Sequence, residues 1–356
     1  MDKRGRWLFV GINLGAVAVA VAAFLIYRNL QPVPGADTNL EGTISKLETY
    51  DLFDDVGYLP KPNQRITARR VVPGKVVYDV TYGIDGNGFR AMPRNSTDPE
   101  ACVLLFGDSN TFGIGVNDTE TYASQLAERG KGKIAVYNFG IGGSGPHQML
   151  AGLQSGRFQK ALTCTPTDVY YFFIIEHLGR VTGRLAPWDP HGPRFRLGGD
   201  GRPVRDGNFD TPPPTPLPDL DEGFLGWRRL VYGIDGYGTR EEASLTAAIL
   251  IDSAREIARI APKARFHVLV WTMVDDKRVA QMEEALTAAG IAVDPVQRVI
   301  PDYRDDQLRY VVGREDGHPN PMTHIKIADY ILTQIGTNRR SASASAPRPS
   351  GLSHDP

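Results

Sequence analysis

Apolar runs at 101–106, 134–138, 168–175 and 265–271 alternate with helix-like stretches at 119–129, 240–260 and 276–289. This alternation restricts the fold more than any other property of the sequence. Strands separated by helices do not close as tight hairpins; they pair in parallel, and the intervening helices cover both faces of the sheet. The expected architecture is therefore α/β, with three layers (α/β/α) around a parallel sheet. A domain spanning 101–336, about 235 residues, is long enough to bury a full core.

The first of these runs leads directly into chemistry. Val103–Phe106 is short and wholly apolar, as a strand buried on both faces should be, and it ends in Gly107-Asp108-Ser109-Asn110. Ser109 would emerge at the carboxyl end of that strand, where open α/β sheets place their ligands. Gly107 permits a sharp turn there. A serine hydroxyl is a poor nucleophile near neutral pH and needs a base, and the base needs a group that fixes its tautomer. Asp316-Gly-His318-Pro-Asn320, two hundred residues later, offers both. Read alone, Gly-Asp-Ser is equally a turn whose Asp and Ser cap the next helix.

Taken in order, three blocks resemble those of the SGNH/GDSL hydrolase superfamily. Gly107-Asp108-Ser109 corresponds to the nucleophile block, Asn138-Phe-Gly-Ile-Gly-Gly143-Ser-Gly145 to the second block, and Asp316-Gly-His318 to the last. The resemblance covers about residues 100–335 and implies Ser109 as nucleophile, His318 as base, Asp316 as its orienting carboxylate and Gly143 as an oxyanion-hole amide. It also implies that the parallel sheet is five-stranded, in the order 2-1-3-4-5.

The chain departs from the family pattern at two places. Where the family has Gly-x-Asn-Asp after its third strand, this chain has Glu176-His177-Leu178-Gly179-Arg180. His177 is therefore a candidate oxyanion donor, and the other reading makes His177 and Arg180 polar residues at a strand end. The family usually spaces its acid and base as Asp-x-x-His, which here would select Glu315; we favour Asp316 and keep Glu315 open. His324 reads as a helix-start residue. Gly140-Ile-Gly-Gly-Ser-Gly145 also satisfies a dinucleotide fingerprint, but Pro146 follows at once and no strand ending in an acidic residue appears about twenty positions on. Neither a cofactor nor a metal is expected.

The amino terminus carries an address. Lys3, Arg4 and Arg6 precede an apolar stretch, Leu8–Tyr27, interrupted only by Asn13, close to the roughly 20 residues that span a bilayer. Basic residues ahead of a span hold that end in the cytoplasm. We read residues 1–6 as a cytoplasmic tip and 7–28 as an uncleaved single-pass transmembrane signal-anchor, the alternative being a cleaved signal peptide. Residues 29–63, with Pro32, Pro34, Pro60 and Pro62, read as a stalk, 64–100 as a small β-addition, 187–222 as a lid or insertion, and 337–356 as a disordered tail. Trp188, His191, Phe195 and Trp227 are candidate linings of a sugar or acyl site. Export lets Cys102 and Cys164 pair, since they would begin neighbouring strands; two buried thiols are the other reading.

With 40 basic and 41 acidic residues and no basic cluster interleaved with aromatics in the exported part, nucleic acid is not an expected partner. The expectation is an extracytoplasmic, membrane-anchored (periplasmic or extracellular) serine ester hydrolase or O-acyltransferase. Its substrate would be an acylated glycan or lipid of the cell envelope. The alternative is a non-catalytic protein of the same fold that binds glycan or an assembly partner.

Overall fold

The computed structural model describes residues 39–92, 95–186, 188–211, 240–272 and 275–344, with the backbone alone at 240 and 337–344. The span expected at 7–28 and the residues 345–356 of the expected tail lie outside them. Among the described residues no helix is long and apolar enough to cross a membrane.

The chain opens with β1 (Leu40–Glu41), the antiparallel hairpin β2 (Tyr50–Phe53) and β3 (Gly57–Pro60), and the longer hairpin β4 (Arg65–Val72) and β5 (Lys75–Gly83). The expected stalk is thus partly folded structure. Val56 and Leu59 are buried in the main core, with Phe53 and Tyr58 packed against it, and apolar residues so scattered among polar ones carry little periodic signal. β1, β4 and β5 form one sheet, which is the expected β-addition. Its inner face, including Ile66, Tyr78, Val80 and Tyr82, packs on Phe112 and Ile114, immediately after the candidate nucleophile.

The central strands are β6 (Ala101–Gly107), β7 (Ile134–Gly140) and β8 (Asp168–Phe173). After the antiparallel pair β9 (Pro193–Leu197) and β10 (Pro203–Asn208) come β11 (Arg265–Val270) and β12 (Ala292–Pro295). The sheet order is β12-β11-β8-β6-β7, every pair parallel. Counted within the sheet, this is the expected 2-1-3-4-5.

A strand's side chains alternate between faces, so a fully apolar strand feeds two cores. Cys102, Leu104 and Phe106 enter one core with the helices Pro146–Gln154, Arg240–Ile260 and Lys277–Ala288. Val103 and Leu105 enter the other, with the helices Tyr122–Arg129 and Pro321–Ala344. Truncating one of these fully buried leucines to Ala should cost about 2–5 kcal/mol.

Cys102 and Cys164 form a disulfide with Cα atoms 6.1 Å apart; Cys102 lies at the amino-terminal end of β6, away from Gly107. Part of the expected insertion is also ordered: β9 and β10 pair, and Phe195 is buried with Leu150, Leu245 and Ile249. The last helix runs on to Ala344, past the expected start of the tail at 337. Ser-Ala-rich sequence contains no helix breaker, and alanine favours continuation. The hairpin β13 (Val311–Gly313) and β14 (Asp316–Pro319) precedes that helix.

Candidate active site

The turn that carries the candidate nucleophile is built by exclusion. Gly107 has φ 148°, and a Cβ there would stand 2.3 Å from Thr111 Oγ1 and 3.0 Å from Phe172 Cβ, so no other residue fits between β6 and the next turn. Asp108 then N-caps the short helix Ser109–Phe112 by accepting from the Asn110 amide at 2.9 Å. Ser109 is the first helical residue, so its N–H has no acceptor within the helix. The loop after the helix is held by Arg90, 1% exposed, which donates to Phe112 O, Gly113 O and Val116 O and pairs with Asp118 at 2.8 Å.

The structure brings Ser109, His318 and Asp316 together. Ser109 Oγ and His318 Nε2 are 2.8 Å apart. On the other side of the ring, His318 Nδ1 lies 2.5 Å from Asp316 Oδ1, which also accepts the His318 backbone N–H at 3.0 Å. Both residues belong to β14. Asn320 fixes that hairpin: its Nδ2 donates to Arg309 O and Val311 O while its Oδ1 accepts from Thr323 N. Burial works against charge on Asp316, but the hydrogen bond and charge of His318, with Arg70, hold the carboxyl below its usual range. Glu315 points elsewhere, to Lys75 at 3.5 Å with a third of its side chain exposed. His324 is fully buried, its Nδ1 accepting from Tyr122 N at 3.1 Å; burial first, then Arg90 and His318, push its pKa down to about 3.

Gly143 lies in the loop after β7 with φ +79°. The carbonyls of this loop are held from outside: Tyr58 OH donates to Gly142 O, and Trp188 Nε1 donates to Gly143 O at 3.3 Å. The Gly143 amide itself donates to no acceptor among the described residues. Trp188 is 45% exposed beside that loop. Of the other aromatic candidates, Phe195 is core, His191 bridges Asp54 and Asp210 at 2.9 and 2.8 Å, and Trp227 lies outside the described residues.

His177 is placed differently from the oxyanion expectation. It is completely buried, and its Nδ1 accepts from Tyr171 OH at 3.0 Å and faces Ile174 N at 3.4 Å. The proton of the neutral ring therefore belongs on Nε2, 3.4 Å from Asp108 Oδ2. Burial lowers the His177 pKa and keeps it neutral. Arg180, unassigned from the sequence beyond its polarity, donates Nη1 to Asp108 Oδ2 and to Ser144 O, both at 2.8 Å. Burial alone would raise the Asp108 carboxyl; His177 and Arg180 override it and hold Asp108 far below the usual carboxylate range. His177 and Arg180, which stand where the family has Gly-x-Asn-Asp, thus hold Asp108, the cap of the Ser109–Phe112 helix.

No family model and no curated protein matches the sequence. Among solved structures, the chain is similar to a two-domain esterase active on acetylated mannans, at 12% identity over 71% of this chain and 53% of that one, TM-score 0.39. It is similar also to an acetyl xylan esterase from the rumen bacterium Butyrivibrio proteoclasticus, at 13% identity over 69% and 66% of the two chains, TM-score 0.39. A lipolytic protein described as of the G-D-S-L family, from Desulfitobacterium hafniense, aligns at 13% identity over 65% of this chain and 98% of its own, TM-score 0.36.

Proposed function

We propose that this protein is an SGNH-type serine hydrolase of esters, held at a membrane by residues 7–28 with its catalytic domain outside the cytoplasm. The observation that carries the reading is the continuous path from Ser109 Oγ to His318 Nε2 at 2.8 Å and from His318 Nδ1 to Asp316 Oδ1 at 2.5 Å. Ser109 attacks an ester carbonyl while His318 takes its proton and then delivers it to the leaving alcohol, and Asp316 holds the ring in the tautomer this requires. The amides of Ser109 and Gly143 are the candidate donors to the tetrahedral oxyanion. Water or a sugar hydroxyl then resolves the acyl-enzyme, giving hydrolysis or acyl transfer from one intermediate.

The exported reading is supported by the basic residues ahead of Leu8–Tyr27 and by the Cys102–Cys164 bridge, which suits an oxidising compartment. An exported ester hydrolase with an indole beside its oxyanion loop suits O-acyl, first of all O-acetyl, groups on an envelope glycan or lipid. The test is fluorophosphonate labelling of the full chain in detergent, with peptide mapping. Modification of Ser109 that is lost in Ser109→Ala and nearly lost in His318→Ala supports the reading; an unlabelled wild-type protein refutes it.

A further inference from the structure

Asp316 has two oxygens, and only one of them is used by His318. Oδ1 accepts both N–H groups of that histidine, whereas Oδ2 faces Arg70 Nη1 at 3.4 Å. The Asp316 side chain is 1% exposed and that of Arg70 20%, so the pair is screened far less than a surface ion pair. Arg70 comes from the β-addition, not from the α/β domain that carries the triad.

Its placement is specific. β4 is the middle strand of its sheet, with Arg70 opposite Leu40 of β1 on one side and Tyr78 of β5 on the other. The β4–β5 register shifts between Arg70 and Val71, where pairing passes from Arg70↔Tyr78 to Val71↔Val76. A bulge of this kind re-aims a side chain, and here it lies at the residue that meets Asp316. The hairpin is also seated on the triad turn: Lys75 pairs with Glu315, and a Cβ at Gly115 would stand 2.9 Å from Val312 and 3.3 Å from the Tyr78 ring.

We infer that Arg70 is a positioning residue for the triad, fixing the second oxygen of Asp316 so that Oδ1 stays turned toward the His318 ring. This rests on the reading of Ser109, His318 and Asp316 as a triad. A carboxylate already facing a cation attracts the imidazolium less, and it cannot turn Oδ1 away from the ring without giving up that cation. Tyr78 and Tyr82 from β5 are kept protonated by burial, and His324 from the last helix is kept neutral by burial. Lys75 and Glu315 compensate each other at the rim.

The experiment uses the full chain in detergent with p-nitrophenyl acetate, reading kcat/KM against pH. Arg70→Gln should move the acid limb up by roughly one pH unit, the effect of one removed charge at this range in an effective dielectric of about 20. Arg70→Lys should restore most of the wild-type profile. In an Asp316→Asn background, Arg70→Gln should change kcat/KM by less than about twofold. Arg70→Met, which keeps the apolar stem, is the second neutral variant should the glutamine protein not fold. An unmoved limb in a folded neutral variant, failure of lysine to rescue, or an undiminished Arg70→Gln effect without the Asp316 carboxylate overturns the inference. If wild-type Ser109 is labelled while the limb stays in place, the triad stands and only the role of Arg70 falls; absence of labelling removes both.

Discussion

Arg180→Met isolates the buried charge at the cap of the Ser109–Phe112 helix. Asp108 is 0% exposed and Arg180 8%. After the substitution, Oδ1 keeps its two bonds from Asn110, at 2.9 and 2.8 Å, while Oδ2 keeps only His177 at 3.4 Å. A buried ion that loses its partner costs about 3–5 kcal/mol, and for a domain of this size that corresponds to a fall in Tm of roughly 6–20 °C. The sign with pH follows from the protonation states. The wild-type carboxyl is depressed, so its contribution is complete above the unfolded carboxylate pKa and is lost as pH falls below it. In the variant, His177 and Asn110 still oppose the effect of burial but the Arg180 charge no longer does, so the carboxyl takes up a proton more readily and the gap between variant and wild type should narrow from pH 7.5 toward pH 4. Thermal unfolding followed by circular dichroism reads both effects. Asp108→Asn combined with Arg180→Met should be more stable than Arg180→Met alone, because no unpaired charge remains. A Tm within about 2 °C of wild type for Arg180→Met, or a double variant less stable than the single, would refute the reasoning.

Asp316→Asn should lower kcat by about 10⁴ while leaving the fold intact, as loss of the orienting carboxylate does in serine triads. Glu315→Gln should be mild, because Glu315 pairs with Lys75 away from the ring; p-nitrophenyl acetate turnover decides, and comparable losses in the two would remove the distinction. Gly143→Ala places a side chain at φ +79° with its Cβ 2.5 Å from Trp188 Nε1. Its kcat should drop by about 10²–10³ with folding preserved, and normal turnover would take the Gly143 amide out of the oxyanion site. Burial raises the pKa of Asp189 to about 6, so its contribution to stability is present below the unfolded carboxylate pKa and lost as pH rises toward 6. Asp189→Asn should therefore gain up to about 3 kcal/mol on wild type above pH 6 in urea unfolding, and an unchanged difference between pH 4 and pH 7 would contradict this.

The sheet was legible because its inner strands are buried on both faces, so Ala101–Phe106 and Val169–Phe173 are uninterrupted apolar runs. β12, Ala292–Pro295, is an edge strand with one buried residue in four and gave no such signal. Hairpin β2–β3 was hidden for a related reason: prolines and polar residues dominate 40–63, and the contacts that fold it are made with distant parts of the chain. Ser109, His318 and Asp316 could be read as local motifs, since their chemistry requires particular residue types at fixed spacing. Arg70, Arg180 and Tyr58 could not. Each acts through a partner at least 70 residues away, and one arginine or tyrosine in a strand or at its end looks like any other. His177 shows the converse: its position was noticed, but a motif does not record which way a ring turns.

Ser109 and His318 are 2.8 Å apart in space and 209 residues apart along the chain. Ser109 follows a strand flanked on both sides in the sheet, whereas His318 arrives on a two-stranded hairpin that rests against an antiparallel sheet from the opposite end of the folded chain. The loop that must close to bring them together is long, and its closure carries an entropic cost that grows with its length. An active-site titrant added during refolding therefore acts as a stopwatch for the final docking event. It counts only molecules in which both ends of the fold have arrived, while circular dichroism registers the helices earlier, and the lag between the two signals measures how long the chain exists as a formed sheet without a working serine.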